Sequence, residues 1–464
     1  MPPMDLQHAE IGEGGQKPFQ LDQHFLAQVI AAAADRDKLL LRELLLPLHP
    51  ADLADTLEQL PLEAMRSLVR LVGPDLTPEF LPELGEERRE PVLALLPASF
   101  LGRALSELDT DDAALVASSL DAERLQEVLR AAPADVQEAV LSGLSFDEET
   151  AGRLMQREFV AAPEFWTVGQ AIDHLRAAGD DLPERFFEIY VVDVKFRPIG
   201  TAPLSTILRT PRATPLTAVM AAPAFVARPE MDQEEVAFAF QQYHLVSVPV
   251  VDEAGRLTGM MTVDDIVAVI QAENAEDLLR LSGVAEAPVA GSVFGAVRSR
   301  IPWLLLNLAT ALTASSVIAG FEGSIRQLVA LAVLMPIVAS LGGNAGTQAL
   351  AVSVRAIASR DLATVNTWRF VSREGFTGLL NGAMVAAALS LVTLAWFQSV
   401  GLAAAVGLAV LANLTCAGLM GALVPLSLQR AGADPAVASS VFVTWATDLF
   451  GFLSFLGLAT WIVL

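Results

Sequence analysis

The feature that most constrains this chain is a series of five long apolar segments in its C-terminal part. They lie at roughly 301–320, 327–357, 375–397, 401–428 and 437–463. Each segment is longer than the ~20 helical residues that are needed to cross a hydrocarbon core of about 30 Å. None of the segments has the polar face that a water-soluble helix presents to solvent. The sequence therefore predicts a membrane domain of five helices, whose two ends lie on opposite sides of the membrane.

The arginines that flank these segments predict the orientation. Seven fall on one side and only Arg326 falls on the other; the seven are Arg298, Arg300, Arg355, Arg360, Arg369, Arg373 and Arg430. Cytoplasmic flanks carry the excess of Lys and Arg in membrane proteins. We therefore expect a multi-pass protein of the cell inner (plasma) membrane, with a cytoplasmic N-terminus and with Leu464 outside. The first 15 residues have neither the basic start nor the apolar core of a signal peptide.

The charge of the remaining sequence favours cations as partners. Residues 1–290 hold 22 basic and 49 acidic side chains, whereas residues 291–464 hold eight arginines and five acids. Repulsion from phosphates argues against nucleic acid as a partner of such an acidic half. Because Cys416 is the only cysteine, a disulfide within the chain is excluded.

The organisation changes several times along the chain. We expect a disordered tail at 1–20 and a stack of short amphipathic helices at 21–156, where Leu and Ala recur at three- and four-residue spacing. Residues 157–270 contain an internal repeat, since 187–208 superposes on 243–267 at an offset of 59. Each repeat has two β-branched runs, a polar turn and a short helix, which indicates two βαβ-like units. A linking helix at 271–298 and the membrane domain at 299–464 follow.

Polar residues inside the apolar segments indicate the chemistry. Asp448 lies near the middle of the last segment, where a carboxylate is costly and therefore suggests a function. Ser440, Thr444 and Gly451 share its helix face. In the second segment, Gly342, Gly343 and Gly346 permit either close helix packing or local unwinding, and Asn344 and Gln348 present neutral oxygens four residues apart.

Neutral oxygens together with one carboxylate suit a hydrated hard cation such as Mg²⁺, which keeps several waters and takes few direct protein ligands. No His and only one Cys lie in the segments, which disfavours softer metals. Five helices with one deep acid make a thin pore wall. A two-fold dimer would double Asp448 about its axis, so we expect a homodimer of ten membrane helices.

Several motifs together resemble the MgtE family of magnesium channels and transporters. They are HPADLADTLEQLP (49–61), DEETAGRLM (147–155), PVVDEAGRLTGMMTVDDI (249–266), PIVASLGGNAGTQ (336–348), RAIASRDL (355–362) and TDLFGF (447–452). The resemblance extends over nearly the whole length, and the repeated unit resembles a tandem pair of cystathionine-β-synthase (CBS) domains. It implies a multidomain protein: an all-α helical N-terminal array, an α/β CBS pair and a polytopic α-helical membrane domain of five spans.

The resemblance also implies site residues. A homodimeric, Mg²⁺-selective pathway would have Asp448 as its pore carboxylate and Asn344 as an oxygen at the pore mouth, with Gly343, Gln348, Ser440 and Thr444 along its lining. Cytosolic Mg²⁺ would close the pore by binding acids of the N domain, the CBS pair and the linking helix. The acids implied for this sensor are Asp265, Glu273, Glu276, Asp277 and Asp434.

Some positions depart from the family pattern. His244 and Leu245 stand where the family has a metal-binding acid and an aromatic, and Ser205-Thr206 in the first repeat lack the acid that Asp265 supplies in the second. The resemblance makes ATP a second candidate ligand of the CBS pair, and these substitutions count against it. Ala268 replaces another sensor acid and Ser440 replaces an asparagine.

Two other functions are compatible with the sequence. A secondary transporter coupled to H⁺ or Na⁺ could use a protonatable Asp448, and a membrane-anchored Mg²⁺ sensor would conduct nothing. We do not expect an enzyme, because no HExxH, GxSxG or Gly-Lys phosphate-loop motif occurs. The five histidines are scattered without ligand spacing, at His8, His24, His49, His174 and His244.

Overall fold

A computed structural model describes residues 22–179, 182–183, 185–281, 293–358, 367–435 and 439–464. The chain forms two compact units, divided between Gln271 and Ala272. The predicted tail at 1–20 lies outside the described residues.

The first unit begins with a stack of short helices. They are α1 (Gln23–Ala34), α2 (Lys38–Leu45), α3 (Pro50–Gln59), α4 (Leu62–Val72), α5 (Phe80–Glu83), α6 (Glu86–Leu93), α7 (Ala98–Glu107), α8 (Thr110–Ser118), α9 (Ala122–Ala131), α10 (Ala134–Leu144) and α11 (Ala151–Leu154). Helices α1, α2 and α9 begin at Asp22, Asp37 and Asp121, whose carboxylates accept hydrogen bonds from backbone N–H groups of the first turn. The apolar faces of the helices share one core, in which α3 packs on α5, α7 on α9 and α8 on α10. The predicted helical array is therefore confirmed.

The internal repeat forms the rest of the first unit. Its strands are β1 (Ala161–Pro163), β2 (Glu188–Val192), β3 (Pro198–Pro203), β4 (Ser247–Val251) and β5 (Leu257–Thr262), with helices α12 (Val168–Ala178), α13 (Leu204–Arg209) and α14 (Gln233–Tyr243). β1 pairs parallel with β2, whereas β2–β3 and β4–β5 are antiparallel. The offset of 59 places β2 on β4 and β3 on β5, residue for residue. Even the irregularity after the fourth residue of β2 recurs in β4.

The two repeats also meet at equivalent positions. Glu188 and Ser247 open β2 and β4 and lie 59 residues apart, and the Ser247 hydroxyl donates to the Glu188 carboxylate. The buried Tyr190 hydroxyl forms a hydrogen bond with the same Ser247 oxygen. A contact between equivalent residues lies on the pseudo-two-fold axis of the pair, so the sequence repeat corresponds to a structural one.

Helix α15 (Val263–Leu281) begins immediately after β5 and continues past the second repeat. The predicted linking helix, 271–298, therefore has no separate start at 271: its first part continues a helix of the CBS pair, and residues 282–292 lie outside the described ones.

The second unit contains the five predicted spans. Its helices are α16 (Val293–Gly320), the short α17 (Glu322–Gln327), α18 (Ala330–Ala358), α19 (Thr367–Phe397), α20 (Val400–Arg430) and α21 (Ser439–Val463). All but α17 are long and apolar enough to cross a membrane. α20 is the most buried of the five and packs on α18, α19 and α21. α19 approaches it closely at Gly378, where an added Cβ would lie 2.5 Å from the Leu414 carbonyl oxygen.

α16 has little contact with the other spans. Ala314 is its only buried side chain among the described residues, and α16 packs mainly on α21. The Trp445 indole N–H of α21 donates to the Thr313 hydroxyl at 2.7 Å. Much of the apolar surface of α16 is therefore left for lipid or another chain to cover.

Candidate functional site

Small residues set the register between the two helices that carry the predicted pore residues. A Cβ added to Gly346 of α18 would lie 2.6 Å from Val443 Cγ1 and 3.5 Å from Thr447 Cγ2 of α21. Gly342 lies four residues before Gly346 in α18, and Gly451 lies four residues after Thr447 in α21. Both glycines contact the same buried side chain of α20, that of Asn413. α18 and α21 are therefore antiparallel. Along their length, Gly342 lies at the same height as Gly451, and Gly346 lies at the height of residues 443–447.

This register brings the predicted pore residues to matching heights. Asn344 lies level with Asp448, and Gln348 lies level with Thr444, by the facing positions just described. Asn344, Gln348 and Thr444 are exposed in the single chain, while Asp448 is partly buried. Gly343 and Ser440 are also partly exposed at the border of this surface. We refer to Asn344, Thr347, Gln348, Ser440, Thr444 and Asp448 as the polar strip.

The polar strip faces outward from the bundle of one chain. Successive helical residues are about 100° apart, so Asn344 lies opposite the packed face that contains Gly342 and Gly346. Asp448 lies at the flank of the packed face of α21. Amide, hydroxyl and carboxylate oxygens are thus exposed at the middle of apolar helices, where lipid satisfies none of them. Amide, hydroxyl and carboxylate oxygens are the types of ligand that suit a hydrated hard cation.

The structure decides between the two interpretations of the glycines in α18. Hydrogen-bonded helix continues from Ala330 to Ala358 through both Pro336 and the glycines. Local unwinding therefore does not occur here. Gly342 and Gly346 instead allow close packing of α18 on α20 and α21, whereas an added Cβ at Gly343 would meet no atom within 4 Å.

Four of the five predicted sensor acids lie near one another in the second unit. Arg280 of α15 pairs with Glu276 one turn earlier, and its Nη1 lies 2.6 Å from Asp434 Oδ2 in the loop after α20. Burial, and then the nearby Asp434 carboxylate, raise the pKa of Asp277, and Glu273 adds to the effect. These acids form the α15 cluster: Glu273, Glu276, Asp277 and Asp434, with Arg280 among them.

The fifth predicted acid, Asp265, belongs to another group of acids in the first unit. Its carboxylate accepts a hydrogen bond from the Thr262 hydroxyl at 2.5 Å. The acids Asp109, Asp111 and Asp112 at the start of α8 are close enough for their charges to interact with it. We name Asp109, Asp111, Asp112 and Asp265 the α8 cluster. The sequence analysis expected N-domain acids but did not identify these three, although three acids in four residues before an apolar helix were a visible signal.

The α8 cluster holds carboxylates under strong mutual repulsion. Burial, and then the charge of Asp265, raise the pKa of Asp112 to about 7. Burial raises the pKa of Asp265 to about 6, against the hydrogen bond from Thr262. The pKa of Asp111 is also raised well above its ordinary value, by burial and by Asp265. Its Oδ1 atom is buried without a hydrogen-bond partner among the described residues.

A residue of the interdomain segment fixes the position of this cluster. Glu158, just before β1, accepts hydrogen bonds from Thr110 N at 3.1 Å and from the Thr110 hydroxyl at 2.6 Å. It therefore caps α8, whose own N-terminal Asp109 makes no side-chain cap. Glu158 therefore holds the start of α8, with its acids, against the CBS pair.

Neither cluster is a preformed metal site. Within the described parts of the chain, no three His, Cys, Asp or Glu side chains are arranged to hold a metal ion. Each cluster instead places carboxylates near enough to repel one another. A divalent cation that keeps part of its water shell could bind between them without direct contact to every acid.

Comparisons with known proteins agree with this architecture. The MgtE family model, described as a divalent cation transporter, matches residues 335–458. The model of the MgtE intracellular N domain matches 48–149, and that of the CBS domain matches 216–272.

Relatives with assigned names match over most of the chain. The magnesium transporter MgtE of Thermus thermophilus is 33% identical over 438 residues, which are 88% of this chain and 97% of the relative. The magnesium transporter MgtE of Bacillus subtilis is 28% identical over 89% of this chain and 92% of its own length. Among solved structures, the cytosolic domain of the Mg²⁺ channel MgtE in complex with ATP is 32% identical, with a TM-score of 0.49, and covers 53% of this chain and 99% of that one.

Proposed function

This chain belongs to the MgtE family of divalent cation transporters, and from that premise we propose that it conducts Mg²⁺ into the cell between two copies of the chain. Cytosolic Mg²⁺ closes this path by binding to the α8 cluster and the α15 cluster. The observation that carries the proposal is the polar strip, which lies at matching heights on α18 and α21 and is left uncovered by one chain.

The exposure of the polar strip supports the homodimer. Asn344 and Gln348 would face hydrocarbon in a monomer, which is costly for amide groups. A two-fold axis beside the strip brings together the same strip of a second copy and doubles the single carboxylate, Asp448. The resulting path is lined by oxygen atoms from both copies.

The type of ligand supports Mg²⁺. Amide, hydroxyl and carboxylate oxygens suit hard cations, and the strip contains no His or Cys. With one carboxylate from each copy, the wall stabilises a doubly charged ion while leaving most of its water shell in place. The relatives that match over most of the chain are named magnesium transporters.

The arginine flanks support a cytoplasmic position for the soluble unit, and hence uptake driven by a membrane potential that is negative inside. This placement exposes both acid clusters to cytosolic Mg²⁺. Like-charged carboxylates separate when no cation is bound and approach when a divalent cation lies between them, so Mg²⁺ favours one of two arrangements. Closure at high cytosolic Mg²⁺ limits uptake.

ATP is a weaker candidate ligand. A relative's cytosolic domain has been solved with ATP, and Thr262 and Asp265 occur in the second repeat of this chain. The Asp265 carboxylate, however, already accepts a hydrogen bond from Thr262 and interacts with the acids of α8. The first repeat offers Ser205 and Thr206 instead of an acid. We therefore assign Asp265 to the regulation by Mg²⁺.

The proposal is tested by Mg²⁺ influx into proteoliposomes that contain a Mg²⁺-sensitive dye. We expect Asp448→Ala to reduce the influx about tenfold or more, since losing ~1.4 kcal/mol of ion stabilisation is a factor of ten. Ser454→Ala, which removes a hydroxyl on another face of α21, is the matched control and should conduct like the native protein. Size-exclusion chromatography verifies that both variants remain folded and dimeric.

The outcomes separate the candidate functions. Native influx in the Asp448→Ala variant would remove Asp448 from the pore. A reversal potential at the Mg²⁺ equilibrium value identifies a channel, whereas a value that moves with the H⁺ or Na⁺ gradient identifies a coupled carrier. Absence of influx in the native protein would favour a sensor.

A further inference from the structure

A buried amide of α20 contacts both proposed pore helices, α18 and α21, on the side opposite the polar strip. Asn413 lies in the middle of α20, is fully buried, and donates from Nδ2 to the Val338 carbonyl oxygen of α18 at 3.1 Å. Its Oδ1 atom is buried and has no hydrogen-bond partner among the residues that the structure describes. It is not among the residues predicted from the sequence, in which its signal is one asparagine within the apolar run LAVLANLTCAGL.

Both pore helices leave room for this amide by having glycine opposite it. The nearest atom to a Cβ added at Gly342 of α18 is Asn413 Nδ2, well inside van der Waals contact. A Cβ added at Gly451 of α21 would lie 2.7 Å from the same nitrogen. Gly342 precedes Asn344 by two residues, and Gly451 follows Asp448 by three. One amide therefore contacts both helices within one helical turn of the proposed pore residues.

Packing alone does not account for an amide at this position. A leucine of similar shape would fill the space without the cost of a buried polar atom with no partner. The amide adds a directed bond to the Val338 carbonyl, which fixes the position of α18 along the axis of α20. A slip of one residue in that helix would move Asn344 by about 1.5 Å relative to Asp448.

We propose that Asn413 is a positioning residue that sets the height and separation of Asn344 and Asp448, and thereby the selectivity of the path for Mg²⁺ over other divalent cations. It acts through Gly342 and Gly451 and does not touch the ion. This inference rests on the pore proposed above, since it concerns how the walls of that pore are held.

The test compares Asn413→Leu, which keeps the branched shape at a larger volume and removes the hydrogen bond, with the native protein in the same proteoliposomes. The measured quantity is the ratio of Mg²⁺ influx to Ca²⁺ influx. We expect this ratio to fall about tenfold, given that a misplacement of about 1 Å can cost up to ~10²-fold at a functional site. Gly457→Ala, at a glycine of α21 with no atom within 4 Å of an added Cβ, is the control and should keep the native ratio.

A second pair of variants separates positioning from packing. Gly451→Ala pushes the amide away from α21, and Gly451→Ala combined with Asn413→Ala restores the space without restoring the amide. If the double variant regains the native ratio, Asn413 only fills space and the inference is wrong. If it remains unselective while folded and dimeric, the amide itself is needed. The pair also decides the question if Asn413→Leu does not fold.

These results are distinguishable from a failure of the pore assignment. Loss of influx in Asp448→Ala together with a native ion ratio in Asn413→Leu would overturn only the role of Asn413. Native influx in Asp448→Ala would overturn the pore, whatever the Asn413 variants do.

Discussion

Asp112 sits in the first turn of α8, where the helix dipole favours a negative charge, and yet burial and the neighbouring Asp265 raise its pKa to about 7. Burial also raises the pKa of Asp265, with Asp264 and Asp109 adding to the effect, and burial and Asp265 raise the pKa of Asp111. Such a group of acids is destabilising when all are ionised, and that cost is what a bound cation can relieve. This cost is consistent with the cation-binding role that we propose for the α8 cluster.

The stability of the soluble unit should depend on pH through this cluster. Because the folded-state pKa of Asp112 lies above the ordinary value of 3.8, the folded protein binds more protons than the unfolded chain between about pH 4 and about pH 7. The stabilisation is complete below the unfolded pKa and is lost as the pH rises through about 7. Thermal unfolding without Mg²⁺ should therefore occur at a lower temperature at about pH 8 than at about pH 5.

Asp112→Asn should remove much of this difference and stabilise the Mg²⁺-free protein at the higher pH, by on the order of a few kcal/mol at most. Asp173→Asn, at an exposed acid paired with Arg212, is the control and should leave the pH dependence unchanged. An unaltered pH dependence in Asp112→Asn would contradict the electrostatic account of the α8 cluster.

At the scale of elements, α15 carries three of the acids that we propose for regulation. It continues from the CBS pair without a break and contains Glu273, Glu276 and Asp277 on successive turns. Arg280 pairs with Asp434 in the loop between α20 and α21, so a cation that belongs to the chain already joins α15 to the end of a membrane helix. Glu276 and Asp434 are two of the acids that we propose bind Mg²⁺, and the guanidinium can take the place of that cation when Mg²⁺ is scarce.

Arg280→Gln should raise Mg²⁺ influx when cytosolic Mg²⁺ is low, because the ion pair with Asp434 then no longer holds α15 to the loop after α20 in place of Mg²⁺. Saturating Mg²⁺ should still close the path, because the acids remain. Their negative potential is stronger in this variant than in the native protein, since the positive charge of Arg280 is removed. We expect an increase of about two- to tenfold in the open fraction, as a partly exposed ion pair contributes about 1 kcal/mol.

Arg430→Gln removes the same charge from an exposed position at the end of α20 and is the control for Arg280→Gln. Influx at low Mg²⁺ is measured for both variants and for the native protein. An identical Mg²⁺ dependence in all three would show that the Arg280 pair has no part in closure.

At the scale of the whole molecule, the two parts of the sequence have different charge. Residues 1–290 have 27 more acids than bases, whereas residues 291–464 have three more bases than acids. Self-repulsion of so many acids favours expanded arrangements of the soluble half. A divalent cation counters this repulsion locally, between facing carboxylates, more effectively than the general screening provided by a monovalent salt.

Limited proteolysis of the full-length protein measures this effect. Millimolar Mg²⁺ should slow cleavage within residues 1–290 several-fold relative to a chelator. Mg²⁺ that binds the compact arrangement increases the population of that arrangement. NaCl at matched ionic strength should give much less protection. Equal protection by both salts would indicate charge screening without specific Mg²⁺ sites.

The sequence by itself determined the elements of this protein. Five spans follow from the length and apolarity of five segments, and the two CBS-like units follow from the 59-residue repeat, because both signals are local and periodic. It also predicts Asp448 and Asn344 as candidate site residues, since polar groups are conspicuous in an apolar span. Only the tertiary structure decided which residues meet: that Asn344 lies level with Asp448, that Asn413 lies behind both helices, and that the acids of α8 face Asp265. These contacts join residues far apart in the chain, and they are set by how glycine and side-chain shapes fit between helices, which no local pattern encodes.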